Sequence, residues 1–171
     1  LIKSGEVLRT PPAARHNQTL AAITREAALP ADVNIVFATY YGFQTQKGGE
    51  TERRKMLEAI ADKSIFIFDE SHNAGGDGTT PRITADGSAP PPPNRAQFAR
   101  NLVRDSRGVF YSSATWAKRP DVMSLYAKTD MRIAVGGDVN LLGSTIERGG
   151  VPLQQVVSAM LAQAGQYMRR E

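Results

Sequence analysis

Ser64 to His72, SIFIFDESH, is a short apolar run that ends abruptly in two adjacent carboxylates. Ile65, Phe66, Ile67 and Phe68 are β-branched or aromatic, with no polar alternation, the pattern of a strand buried on both faces of a parallel sheet. Asp69 and Glu70 then fall at the C-terminal edge of that strand, and open α/β sheets bind ligands in the crevice beyond the carboxyl ends of their strands. The stretch therefore predicts both a layered α/β architecture and the edge at which its chemistry sits.

The rest of the chain fits that frame. Val33 to Thr39, VNIVFAT, reads as a second buried strand leading into Tyr40, Tyr41 and Gly42. Gly108 to Ser112, GVFYS, reads as a third, leading into Ser113-Ala114-Thr115. Between them the sequence predicts helices. Asn17 can cap one over about Gln18 to Ala28, after irregular chain around Pro11 and Pro12 and before the Leu29-Pro30 break. Thr51 begins another through Ala61, with Met56, Leu57 and Ile60 on its apolar face. Asn94 caps a third to about Ser106, where Phe98, Leu102 and Val103 recur at helical spacing. A helix is expected over Asp121 to Lys128, then a short apolar segment, Met131 to Val135. A final amphipathic helix from about Pro152 to Met168 would turn Val156, Val157, Met160, Leu161 and Ala164 inward. Strands alternating with helices indicate a mostly parallel sheet in an α/β domain. From Asn73 to Asn94, Gly75, Gly76, Gly78, Gly87 and the run Pro90 to Pro93 leave hardly an apolar anchor, the composition of a flexible Gly/Pro-rich insertion.

Composition bounds the function. The 171 residues suffice for one ordinary domain that buries roughly two-thirds of its unfolded surface. The absence of cysteine excludes a disulfide framework and Cys-ligated zinc. The apolar runs fall far short of the roughly 20 residues a membrane span needs, and LIKSGEVLRT has no signal-peptide core, so the sequence predicts a soluble protein, cytoplasmic by default. The net charge of +4, from 21 basic and 17 acidic residues, permits a polyanionic partner without demanding one. Basic residues cluster at Arg53-Arg54-Lys55, along Arg95, Arg100, Arg104 and Arg107, at Lys118-Arg119 and at Arg169-Arg170.

Paired acids at a strand end divide a hydrolytic task. Successive side chains leave a strand in different directions, so one acid can face a metal while its neighbour faces water. Asp69 would hold Mg²⁺ through its water shell, since Mg²⁺ keeps several waters and takes one or two carboxylates plus phosphate oxygens. Glu70 would orient and deprotonate the water that attacks a γ-phosphate. An unrelated α/β enzyme whose paired acids bind a metal for hydrolysis would need more carboxylates or histidines converging on Asp69. His16 and His72 are the only histidines, and the spacing of Asp77, Asp86 and Asp105 suggests no cage.

Asp69-Glu70-Ser71-His72 resembles motif II of superfamily 2 helicases and translocases, and Ser113-Ala114-Thr115, after the next core strand, resembles their motif III. The closer likeness is to the strawberry notch group, which includes bacterial and phage members fused to methyltransferase domains. It is carried by NIVFATYYGF, FIFDESHNAGG, VFYSSATWAKRPDVMSLYAKTDM and the tail GGVPLQQVVSAMLAQAGQYMRRE, and runs discontinuously from about Val33 to the C-terminus. Two departures stand out: Asn73-Ala74-Gly75-Gly76 replaces a lysine-containing segment, and the Gly/Pro stretch is an insertion.

The resemblance implies a three-layer RecA-like P-loop NTPase lobe, and a nucleic-acid-dependent ATPase with Mg²⁺ and ATP as cofactor and substrate in the complete parent. Asp69 and Glu70 would be catalytic, with Asp69 also the water-mediated Mg²⁺ ligand. His72, Ser113 and Thr115 would couple nucleotide state to nucleic-acid binding. Thr39, Tyr40, Lys118 and Arg119 would lie along the nucleic-acid track, DNA in preference to RNA. Trp116 could stack on a base, although packing against a helix is the commoner fate of a lone tryptophan.

No GxxxxGK[ST] occurs among the 171 residues, so the cradle for the β and γ phosphates is not in this stretch. Residues 1–171 are accordingly expected to be the latter part of helicase lobe 1, incomplete because the Walker A portion is absent, with the insertion at 73–94. A start at Leu1 favours a fragment of a larger protein over a degenerate relative. Its expected partners are the P-loop segment, a second RecA-like lobe and, as in some members of the group, a fused methyltransferase domain, with no membrane. Alone it would be inactive or nearly so, with an exposed sheet edge prone to self-association. The alternative is a non-catalytic helicase-like scaffold or nucleic-acid-binding module.

Overall fold

The computed structural model describes residues 7–8, 13–47, 49–75, 94–113, 120–138 and 140–168. They form two compact units, one drawn from 1–65 and 78–107 and the other from 66–77 and 108–171. Among the described residues the architecture is mixed α/β, with four α-helices, several 3₁₀ helices and a two-stranded parallel sheet.

In the first unit, α1 (Ala13–Glu26) packs on α2 (Glu52–Ala59), burying Leu20 and Ile23 with Met56, Leu57 and Ile60. α1 starts earlier than the Asn17 cap predicts and takes Asn17 into its body. It ends where Ala27 turns left-handed at φ 47°. α2 begins as its sequence demands, with Thr51 Oγ1 accepting from the Arg54 N–H at 3.3 Å. α3 (Arg95–Asp105) is capped by Asn94 Oδ1, which accepts from the Gln97 N–H at 2.9 Å, and it buries Phe98, Leu102 and Val103.

Arg54, read as one of a basic surface cluster, is instead wholly buried. Its Nη1 donates to the Phe43 carbonyl at 2.9 Å, and its guanidinium lies 4.1 Å from the Phe98 ring centre. Its Nε meets Glu50 Oε2 at 2.6 Å, an ion pair whose angle falls short of a hydrogen bond. Phe43 and Phe98 meet edge to face at 5.3 Å. The apolar stem and the delocalised charge let Arg54 serve as core where a more strongly hydrated lysine would not.

VNIVFAT is not a strand. Its ladder is a single parallel bridge from Ile35 to Val7, with the Leu8 N–H donating to the Ile35 carbonyl at 2.8 Å, and Phe37 is 77 % exposed. An apolar extended segment becomes a strand only where a neighbour supplies a continuous ladder, and among the described residues none does here.

In the second unit lies the sheet, its first residue excepted, formed by β1 (Ile65–Phe68) and β2 (Gly108–Tyr111). The expectation of burial on both faces fails. Phe66, Phe68 and Tyr111 form a stacked row on one face, with centroid spacings of 6.0 and 6.1 Å. On the opposite face, by alternation, Ile65, Ile67 and Phe110 are exposed.

The expected helix over Asp121 to Lys128 is a 3₁₀ helix, Pro120–Tyr126, and Asp130–Val135 forms another. α4 (Asn140–Gln163) starts twelve residues before the expected Pro152 and is broken at Gly150, whose φ of 55° and ψ of −154° are open to glycine alone. The apolar core joins Val122, Met123, Tyr126 and Met131 to Leu142, Ile146 and Leu161 of α4. Val157 packs against it, whereas Val156, Met160 and Ala164, expected inward, face solvent.

Candidate functional site

The DESH residues form a turn rather than the end of a strand. β1 stops at Phe68, Asp69 and Glu70 are exposed, and Ser71–Asn73 make one 3₁₀ turn. Glu70 starts that turn in the left-handed region, at φ 48° and ψ 52°, a conformation rarely held by a non-glycine residue. Its carbonyl accepts from the Asn73 N–H at 2.8 Å, and Asp69 Oδ1 accepts from the Glu70 N–H at 3.1 Å. Asp69 and Glu70 therefore lie beyond the pleat of β1, and Glu70 is placed by a left-handed turn rather than by strand alternation.

β2 brings the second motif alongside. The Ser112 N–H donates to the Phe68 carbonyl and the Ser71 N–H donates back to the Ser112 carbonyl, both at 2.9 Å. These bonds carry the ladder past the strand ends and set Ser113 beside His72. His72 Nδ1 is 3.1 Å from Ser113 Oγ and 3.4 Å from Glu70 Oε2. Three of the predicted residues, Glu70, His72 and Ser113, thus form one contiguous polar group, with Asp69 adjacent.

The turn is anchored below. Ser71 is fully buried, and its Oγ lies 2.8 Å from the Tyr126 hydroxyl. Tyr126 packs against Tyr111 with ring centres 4.8 Å apart, and Tyr111 donates its hydroxyl to the Leu125 carbonyl at 2.7 Å. Burial raises the Tyr126 pKa above the usual tyrosine value, and the Ser71 hydrogen bond pulls it partly back. Burial, then the neighbouring Tyr126, raises that of Tyr111 further. Both phenols are neutral over the physiological range. Sequence reasoning missed Ser71 and Tyr126 as members of this site, since 55 positions separate them and no spacing rule links them.

The other predicted residues stand elsewhere. Thr39 and Tyr40 belong to the first unit, where Thr39 precedes the 3₁₀ helix Tyr40–Phe43 and Tyr40 meets Phe43 edge to face at 5.6 Å. Tyr41, the exposed neighbour, presents more aromatic surface than Tyr40. Thr115, Trp116, Lys118 and Arg119, and positions 76–93 of the insertion, lie outside the described residues.

Among the described residues no group of three or more His, Asp or Glu side chains converges as a metal cage would require. An exposed carboxylate such as Asp69 fits the chemistry of Mg²⁺ held mainly by water and phosphate oxygens. Among the same residues no helix is long and apolar enough to cross a membrane. Comparison of the chain with protein-family models, with characterised proteins and with solved structures finds no match.

Proposed function

We propose that this chain is the hydrolysis and coupling portion of a superfamily 2, strawberry notch-like ATPase lobe, acting on Mg²⁺-bound ATP and on nucleic acid, DNA in preference to RNA, in the cytoplasm. One observation carries the reading: the parallel β1–β2 pair seats the DESH turn against Ser113, with His72 Nδ1 3.1 Å from Ser113 Oγ and 3.4 Å from Glu70 Oε2. That contact supplies a physical route from the acid that handles water to the segment that follows β2.

In this reading Asp69 would hold the hydrated Mg²⁺, which when bound offsets charge on the transferred phosphoryl group. Glu70, half-exposed and held in its left-handed turn, orients the attacking water and accepts its proton. His72 Nδ1 faces both Ser113 Oγ and Glu70 Oε2, and because one ring nitrogen serves one strong partner at a time, a displacement of Ser113 would change the hold of His72 on the carboxylate. Thr115, Lys118 and Arg119 would extend that response to the nucleic acid, with Thr39 and Tyr40 also on the track. The phosphates themselves would be gripped by a P-loop in the remainder of the parent lobe, assisted by a second lobe.

The test is Mg²⁺-dependent ATP hydrolysis by the natural full-length protein, with and without single- and double-stranded DNA and RNA, beside a Glu70→Gln variant. Nucleic-acid-stimulated turnover that the substitution abolishes is the expected result. Turnover indifferent to Glu70, or none from a folded protein, refutes the motor and leaves a scaffold of helicase shape.

A further inference from the structure

We propose that Tyr126 is a positioning residue of the DESH turn: its hydroxyl, through Ser71, holds Glu70 and His72 in their working geometry and ties them to the apolar core of the second unit. This deepens the hydrolase reading given above and rests on it for its functional arm only.

Three contacts converge on the point. The Ser71 side chain is sealed from solvent with its Oγ 2.8 Å from the Tyr126 hydroxyl. The Ser71 backbone is pinned independently by its N–H bond to the Ser112 carbonyl. Four residues on, Gly75 lies so close to Val122 that a Cβ there would collide with that side chain and its backbone. The 3₁₀ helix Pro120–Tyr126 is therefore in contact with both ends of the segment Ser71 to Gly75 and has little freedom to slide along it.

The consequence runs in both directions. Glu70 holds an unfavourable backbone conformation, which persists only where its surroundings over-determine it. Ser71, its immediate neighbour, is the residue fixed from two sides. Tyr126 in turn belongs to the cluster of Val122, Met123, Met131, Leu142, Ile146 and Leu161. A shift of α4 or of the 3₁₀ helix would move the Tyr126 hydroxyl, and with it the turn that carries the acid and the histidine. His72–Ser113 and Ser71–Tyr126 are thus two separate ties between the DESH turn and the chain after β2, one half-exposed and one buried.

The discriminating experiment compares Tyr126→Phe with Tyr111→Phe in the full chain. Each removes one hydroxyl from one aromatic pair, but Tyr111 donates to the Leu125 carbonyl and makes no bond to the turn. Backbone amide exchange is followed for Ser71 to Ala74, with the α2 amides as an internal reference. Expected for Tyr126→Phe is exchange about tenfold faster in the turn, the size of one lost buried hydrogen bond, with α2 unchanged. For Tyr111→Phe the turn stays within about twofold of the parent. Equal acceleration in both variants, or none in Tyr126→Phe, overturns the proposal. In the natural full-length protein, Tyr126→Phe should lower kcat several-fold while leaving KM for ATP unchanged. A matching rise in KM, or an unaltered kcat, also overturns the assignment. If the full-length protein hydrolyses nothing, the hydrolase reading fails by itself, and the exchange result still decides whether Tyr126 holds the turn.

Discussion

Replacing Glu70 with glycine should stabilise the protein while removing its proposed water-activating group. An L-residue in the left-handed region carries about 1–2 kcal/mol of steric cost, which glycine does not. Against that, glycine gives the unfolded chain more freedom, costing about 0.4–1 kcal/mol. The informative comparison is with Glu70→Ala, which loses the same carboxylate and its 3.4 Å approach to His72 but keeps the Cβ that makes φ 48° costly. The glycine variant should therefore exceed the alanine variant by about 0.5–1 kcal/mol. For a chain of this size that corresponds to roughly 1–4 °C in melting temperature. Urea and thermal unfolding of the two variants, followed by circular dichroism, measure the difference directly. Both should be inactive in the full-length ATPase assay, so stability and activity separate at one residue. An alanine variant as stable as the glycine variant, or more so, refutes the reasoning, because the strain assigned to Glu70 would then be absent.

Two other perturbations follow from the first unit. Phe98→Ala should cost about 3–5 kcal/mol in urea unfolding, since it removes a fully buried ring together with the surfaces on which Phe43 and the Arg54 guanidinium rest; a loss below about 1 kcal/mol would contradict the packing described. Glu58 has its carboxyl pKa raised by burial and then by Glu50, with Arg54 and Arg104 opposing, so its folded value exceeds the unfolded one. Stability from this group is complete below the ordinary glutamate range and is lost as pH rises through the folded pKa. Glu58→Gln should flatten the fall in melting temperature between pH 4 and neutrality, and an unchanged slope would remove Glu58 from the account.

The parts of the fold legible in the sequence are those whose signal is local. Thr51 and Asn94 cap their helices through side-chain oxygens three residues from the amides they accept from, and Met56, Leu57, Phe98 and Leu102 fall inward at helical spacing. SIFIF and GVFYS form strands close to where the apolar runs place them. VNIVFAT carries the same signal and fails, because its partner among the described residues is one bridge to Val7 and composition does not reveal what lies alongside. Arg54 reads as surface charge until Phe43 and Phe98, 11 and 44 positions away, are seen to enclose it. Ile65, Ile67 and Phe110 show the converse, apolar residues of a parallel pair left uncovered on one face.

The candidate site was legible in its residue types and not in its geometry. Reading Asp69 and Glu70 as the last residues of a strand assigns their divergence to the pleat, which would make it a property of β1 alone. The structure instead ends β1 at Phe68 and sends the chain through a left-handed residue into a 3₁₀ turn, so the direction of Glu70 depends on what holds that turn. Those supports are the Ser112 backbone, the Ser113 side chain at His72 and the Tyr126 hydroxyl at Ser71, all beyond the start of β2 in the chain. Carboxylates aimed by a pleat would move with the sheet as a rigid edge. A carboxylate aimed by a pinned turn responds to the segments that pin it, and among the described residues those are Ser112 and Ser113 and the 3₁₀ helix Pro120–Tyr126. In the proposed ATPase, hydrolysis would therefore respond to events at those segments without movement of the sheet, through the hydroxyl contacts of Ser71 and His72 beside Glu70.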